Sequence, residues 1–145
     1  MRKSVGNVLD LFVSKKGEKQ RFQRDKIELD ESGILEDKFY AKDIMRSVLL
    51  TTTQSYQLAA SKGINISYGL LGENILIDFN PYALPIGTQM KIGEVLVEIT
   101  QNCTICNHLS KVDKALPKLL ENDRGVFVKV IQPGFIEIGN SVDVL

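Results

Sequence analysis

The chain has 145 residues with 18 basic and 18 acidic side chains, 43% hydrophobic and 25% charged. That length favours one domain over residues 1–145 with a substantial buried core, and the balanced charge gives no net field to recruit nucleic acid or an anionic membrane. The opening MRKSVGNVLDLFV is broken by Asn7 and Asp10, too polar for a signal peptide, and no apolar run is long enough to span a bilayer.

In chain order, Val5–Val13 is rich in Val and Leu and predicts a first strand, stopped by SKKGEKQ. Arg21–Leu29 alternates weakly through Phe22, Ile27 and Leu29, a second and more exposed strand. Asp30–Gly33 is turn chemistry, and Gly33–Tyr40 (GILEDKFY) follows. Arg46–Thr51 predicts a buried strand, then Thr52–Ser61 a helix with hydroxyls to cap it and Gly63 to stop it. Ile64–Leu71 leads through Gly72-Glu73-Asn74 to a strand over Ile75–Phe79.

Met90–Thr100 (MKIGEVLVEIT) reads as one strand carrying Ile92, Val95, Val97 and Ile99. Asp113–Asn122 predicts a short helix that Pro117 forces to begin late or to kink. Arg124–Ile131 alternates cleanly, Gln132–Gly134 turns the chain, and Phe135–Ile138 and a terminal VDVL close it. Seven or eight short strands with one to three short helices predict a mainly β fold: a closed or nearly closed, mostly antiparallel β-barrel.

The segment Ile99–Leu109 holds both cysteines, Cys103 and Cys106, and the single histidine, His108. Two close cysteines without a secretory signal suggest a reducing, cytoplasmic setting and working thiols. The flanking Asn102, Thr104 and Asn107 are polar, which favours an exposed, reactive Cys106 over a small core hydrophobe. Cys103 reads equally as its disulfide partner or as a buried side chain. The Cys-x-x-Cys-x-His run with Asp113 keeps a zinc reading open, although structural zinc usually takes four ligands and no second Cys or His pair exists. His108 alone reads first as a surface residue, and Tyr40, Tyr56 and Tyr68 as core-edge residues.

GILEDKF, RSVLL, GLLGENI, IGTQMKIGEVLVEITQ, a cysteine, and PGFIEIGNSV stand in an order that resembles the MOSC family, the carboxy-terminal domain of molybdenum-cofactor sulfurases and its free-standing relatives. The resemblance runs from about Val5 to Val144. It implies a MOSC-type β-barrel with a cleft for the molybdenum cofactor (molybdopterin) or its sulfurated form. Cys106 matches the family's key cysteine, the expected molybdenum ligand or sulfur carrier, with Cys103 as a second catalytic candidate. Glu73 and Asn74 match the GEN motif; Gly72 before them permits close backbone approach, and His108 is a candidate cofactor donor. Asp37-Lys38 match the Gly-Asp-Arg motif, with Glu36 in place of glycine and Lys38 in place of arginine. Ile105 stands where amidoxime-reducing relatives carry arginine. Lys38 and Arg46 are expected to meet a pterin phosphate.

The implied activity is sulfur handling, or molybdenum-dependent reduction of N-hydroxylated compounds. The alternative is a non-catalytic cofactor carrier or docking module for a molybdenum enzyme. No PLP site accompanies the domain, so a sulfur donor or reductase protein is the expected partner.

Overall fold

The computed structural model describes residues 3–18, 20–103, 113–120 and 124–145. Among the described residues are eleven strands: β1 (Lys3–Ser14), β2 (Arg21–Arg24), β3 (Lys26–Asp30), β4 (Gly33–Ile34), β5 (Val48–Thr52), β6 (Ile75–Ile77), β7 (Gln89–Ile92), β8 (Val95–Asn102), β9 (Val126–Gln132), β10 (Gly134–Glu137) and β11 (Ser141–Val144). Two short helices, α1 (Thr53–Ser61) and α2 (Leu116–Leu119), and a 3-10 turn over Ile44–Arg46 complete the described elements.

The large sheet runs β11-β7-β8-β9-β5-β6-β1-β2, and a further β11–β1 pairing closes seven of these strands into a barrel with β2 outside the ring. All pairings are antiparallel except β5–β6, so the barrel is mixed. A smaller sheet, β10-β3-β4, packs Ile27, Leu29, Ile34 and Ile136 into the barrel's own core.

The mainly β barrel expected from the sequence is therefore present, with two differences in strand count. Arg21–Leu29 is not one strand: it breaks at Asp25, and its halves join different sheets. Met90–Thr100 is two strands rather than one, with Met90 opposite Val97 and Ile92 opposite Val95 across a Gly93-Glu94 turn. The three-residue step from Ile92 to Val95 breaks period-2 alternation, and Gly93 supplies the positive φ of 58° that the tight turn needs.

Alternation within strands sorts the side chains into two environments. Leu11 and Val13, Val48 and Leu50, and Val126 and Val128 point into the barrel core. Each such fully buried Leu or Ile stabilises the fold by about 1.5–3 kcal/mol. Their neighbours Phe12, Leu49 and Phe127 project from the opposite face of the same strands and line a single cleft. The second apolar cluster lies behind it, where Leu76 packs with Tyr56 and Ala59 of α1 and with Leu116 and Leu120 around α2.

Candidate functional site

The cleft encloses about 1050 Å³. Its floor is the row Phe12, Asn74, Leu49 and Phe127, laid across β1, the lead into β6, β5 and β9. Asn74 bridges that row where no ladder residue is assigned. Its N–H donates to the Leu49 carbonyl (2.9 Å), and its own carbonyl accepts from Phe12 N–H (2.8 Å). Its side chain repeats the bridge: Oδ1 accepts from Leu49 N–H (3.0 Å), and Nδ2 donates to the Phe12 carbonyl (3.1 Å) and to Asp37 Oδ1 (3.4 Å). Both amide donors are thus engaged within the protein, and Asn74 shapes the floor through the backbone it holds.

One wall is the segment from Lys38 to Ser47. Asp37 is buried behind it and accepts from Ser14 N–H (2.7 Å) and Phe39 N–H (3.0 Å), while Lys38 N–H donates to the Ser14 carbonyl (2.8 Å). These bonds tie Lys38 to the end of β1, where it lines the cleft with its ammonium 5.1 Å from the Phe39 ring centroid. Further along, Asp43 caps the 3-10 turn by accepting from Met45 N–H (3.1 Å). Thr100 Oγ1 donates to the Met45 carbonyl and pins that turn to β8. The Arg46 guanidinium then lies 5.0 Å from the Phe127 ring centroid at the far end of the floor. Glu36, which occupies the family's glycine position, does not line the cleft and instead pairs with Arg24 (3.0 Å) and Lys15 (3.4 Å).

The opposite wall is the loop 67–72. Gly72 lines the cleft with φ +90°, a conformation that a side chain disfavours. Glu73 belongs behind this wall rather than in the cleft: it is 0% exposed, and its Oε2 accepts from Tyr56 OH (2.6 Å) and from Gly69 N–H (3.0 Å). Burial pushes its pKa above the usual carboxylate range, with those hydrogen bonds and nearby Arg21 opposing the rise. Glu73 therefore supports the cleft wall in place of the cofactor contact expected from the GEN motif. Burial beside Glu73 likewise pushes the Tyr56 phenol well above its ordinary value. Tyr68, read from sequence as a core-edge residue, is 47% exposed and lines the cleft, its ring edge-on to Tyr56 at 4.9 Å.

Of the residues singled out from sequence, Lys38, Arg46, Gly72, Asn74 and Cys103 thus meet at one cleft although they are scattered through the chain. Cys103 is 5% exposed, anchored by its N–H to the Gly125 carbonyl (2.9 Å) just past β8. Cys106 and His108 lie outside the described residues. These are two of the four residues of the zinc reading, and among the described residues no three His, Cys, Asp or Glu side chains gather as a metal site.

Sequence reasoning missed Arg21, Lys42 and Arg124, which join Lys38 and Arg46 in the cleft against only Glu18 and Asp43 among the described lining residues. Arg21 is held by donation to Ser14 Oγ (2.8 Å) and to the Glu73 carbonyl (2.7 Å). Its buried Nε has no hydrogen-bond partner among the described residues. Desolvation pulls its pKa below the usual guanidinium value, and Glu73 and Asp37 counter that by attraction. Arg124 is buried and donates from Nε to the Leu71 carbonyl (3.0 Å). Nothing in the local pattern of either stretch marks these arginines as cleft residues.

The MOSC domain family matches residues 32–143, most of the chain and all of the cleft wall from Lys38 onward. This chain belongs to the MOSC domain family. The YuaD protein from Bacillus subtilis has a similar structure (TM-score 0.83, 17% identity, 99% of this chain and 98% of that one). So do YiiM from Escherichia coli (0.74, 20%, 100% and 70%) and YiiM from Geobacillus stearothermophilus (0.75, 17%, 97% and 75%). At these identities the likeness is one of fold. No curated protein matches the chain. The MOSC family is generally associated with the molybdenum cofactor. No helix among the described residues is long and apolar enough to cross a membrane.

Proposed function

We propose that this MOSC protein binds a molybdenum–pterin cofactor in the cleft and uses it, with a reactive cysteine, either to handle sulfur or to reduce N-hydroxylated compounds. The observation that carries the reading is the excess of cations over a largely apolar floor in a chain of zero net charge. A flat ring system suits Phe12, Leu49 and Phe127. A phosphate suits the Arg21 and Lys38 end, where two cations line the cleft and a charge-assisted bond is available. A cleft walled by low-dielectric protein also concentrates anions beyond what the overall charge would do.

In this reading the chain's residues have separate tasks. Arg21 and Lys38 hold the phosphate, and Asn74 fixes the floor. Glu73 and Tyr56 keep the 67–72 wall in place, and the wall and floor exclude water from one face of the ligand. Cys106 enters on the sequence resemblance alone, as metal ligand or sulfur carrier, because a thiolate is a soft donor suited to molybdenum and sulfur. When bound, the cofactor supplies redox chemistry that no protein side chain offers.

The test is molybdenum and pterin content, measured by mass spectrometry on protein purified anaerobically from a molybdate-replete host. Wild type should carry both near stoichiometry. Cys106→Ala should lose molybdenum, and Arg21→Gln combined with Lys38→Gln should lose pterin. Wild-type protein free of both would overturn the reading. Bound cofactor without turnover of an N-hydroxylated substrate or sulfur transfer would make the protein a carrier.

A further inference from the structure

Two of the cleft's cations, Arg21 and Arg46, lie towards opposite ends. Arg21 sits on β2, opposite Ser14 of β1, and Lys38 is tied to the same residue. Arg46 sits at the other end, over the ring of Phe127 of β9. Between them the sheet order is β9-β5-β6-β1-β2. Phe127 pairs with Leu49, Leu50 with Ile75, Ile75 with Leu11, and Ser14 with Arg21. The Arg21 guanidinium reaches back from β2 to the Glu73 carbonyl at the lead into β6, so two strand steps of about 4.8 Å, from β6 through β5 to β9, separate the two cations, on the order of 10 Å along the floor.

Arg46 has the features of a dedicated anion donor. It is exposed to the cleft and forms no ion pair among the described residues. The nearest acid in sequence, Asp43, spends Oδ1 on capping the turn that carries Arg46. The turn is pinned from β8, and the guanidinium carbon lies over the Phe127 ring, 5.0 Å from its centroid, a cation–π contact that favours this orientation. A planar, pre-oriented fork beside a cleft matches a phosphate or carboxylate better than a neutral group.

We infer that Arg46 forms a second oxyanion site, distinct from the Arg21–Lys38 end, so that the cleft accommodates two anionic groups at once. This deepens the proposed function: with one anion held at Arg21, the second belongs either to an anionic substrate, a phosphate- or carboxylate-bearing compound, or to the far phosphate of a cofactor extended by a nucleotide. Cys103 lies on the Arg46 side, beyond β8, so this second site is also the one nearer the thiol.

The experiment is a titration of the full chain, free of cofactor, with inorganic phosphate, followed through the arginine Nε–Hε correlations in an NMR spectrum. Two saturable sites are expected, one moving the Arg21 resonance and the other that of Arg46. Arg46→Gln should weaken only the second site, by about 10-fold or more, as loss of a charge-assisted bond implies, and leave the Arg21 response intact. Arg46→Lys should recover part of that loss. A single site, or an Arg46→Gln protein with an unchanged two-site response, would overturn the inference. This readout needs no molybdenum, so it survives failure of the cofactor reading. If cofactor-loaded protein can be made, phosphate still binding at Arg46 assigns the second anion to the substrate. Closure of both sites assigns it to the cofactor.

Discussion

The carboxyl of Glu73 accepts a hydrogen bond of 2.6 Å from the phenol of Tyr56 in a place with no solvent exposure. The same Oε2 takes the Gly69 N–H (3.0 Å), and Tyr56 OH also accepts from Gly69 N–H (2.9 Å) and Leu71 N–H (3.3 Å). One carboxyl and one phenol thus fasten the 67–72 wall to helix α1. Removing the phenol in Tyr56→Phe takes the hydroxyl partner from the Leu71 N–H and from the buried carboxyl, while Gly69 N–H keeps Glu73 Oε2, so a loss of about 1–3 kcal/mol is expected in urea unfolding.

The pH response of that pair follows from burial, which raises the Glu73 pKa above its ordinary 4.5. The folded chain then holds this proton more tightly than the unfolded chain. The stabilisation is fully present below the ordinary value and is lost as pH rises through the raised folded value. Glu73→Gln keeps a neutral group of the same shape and removes the titration. Denaturation measured from about pH 4 to about pH 8 should show wild type falling more steeply than the variant. Parallel profiles would show that this carboxyl has the same proton affinity folded and unfolded, and so would overturn the burial effect.

Asn74 is expected to be less replaceable than a turn asparagine. Asn74→Ala leaves the Leu49 N–H and the Phe12 carbonyl without their side-chain partner under the floor of the cleft, at about 2–4 kcal/mol for the buried groups together. Asn74→Asp retains the acceptor but sets a second carboxylate against Asp37, now 3.4 Å from Nδ2, and should be worse still near neutral pH. Thermal unfolding of the two variants beside wild type gives the order. An alanine variant as stable as wild type would mean that water replaces the amide at no cost.

Gly69 should resist any side chain. Its φ is +94°, and an added Cβ would lie 3.0 Å from Cε1 of Phe12. Gly69→Ala therefore combines backbone strain with a push on the aromatic floor, on the order of 1–3 kcal/mol. Because the displaced group lines the cleft, phosphate binding at the Arg21 end should weaken in the same variant. Unchanged stability would mean that the loop relaxes away from Phe12.

The strands and their faces were legible in the sequence because they depend on local alternation: Val95, Val97 and Ile99 face the core, as do Val126, Val128 and Val130. Helix α1 was legible from its run of helix formers and its glycine stop, although the N-cap Thr52 makes no side-chain cap hydrogen bond, and the order of short motifs carried the family. The same local logic failed at Arg21–Leu29 and Met90–Thr100, where a single residue or a two-residue turn redirects a strand that otherwise keeps its composition.

What only the tertiary structure decided is which polar side chains reach the cleft and which are spent on holding the fold. Glu73 and Asn74 stand together in one motif, yet one carboxyl is sealed behind a wall and one amide is divided between two strands. Arg21 and Arg124 look like ordinary strand-end residues, and barrel closure brings both to the cleft that Lys38 and Arg46 reach from a loop. Local periodicity sets which face of a strand is apolar. Partners distant in sequence, and the loss of water around them, set whether a charge on the other face becomes a strut or a site.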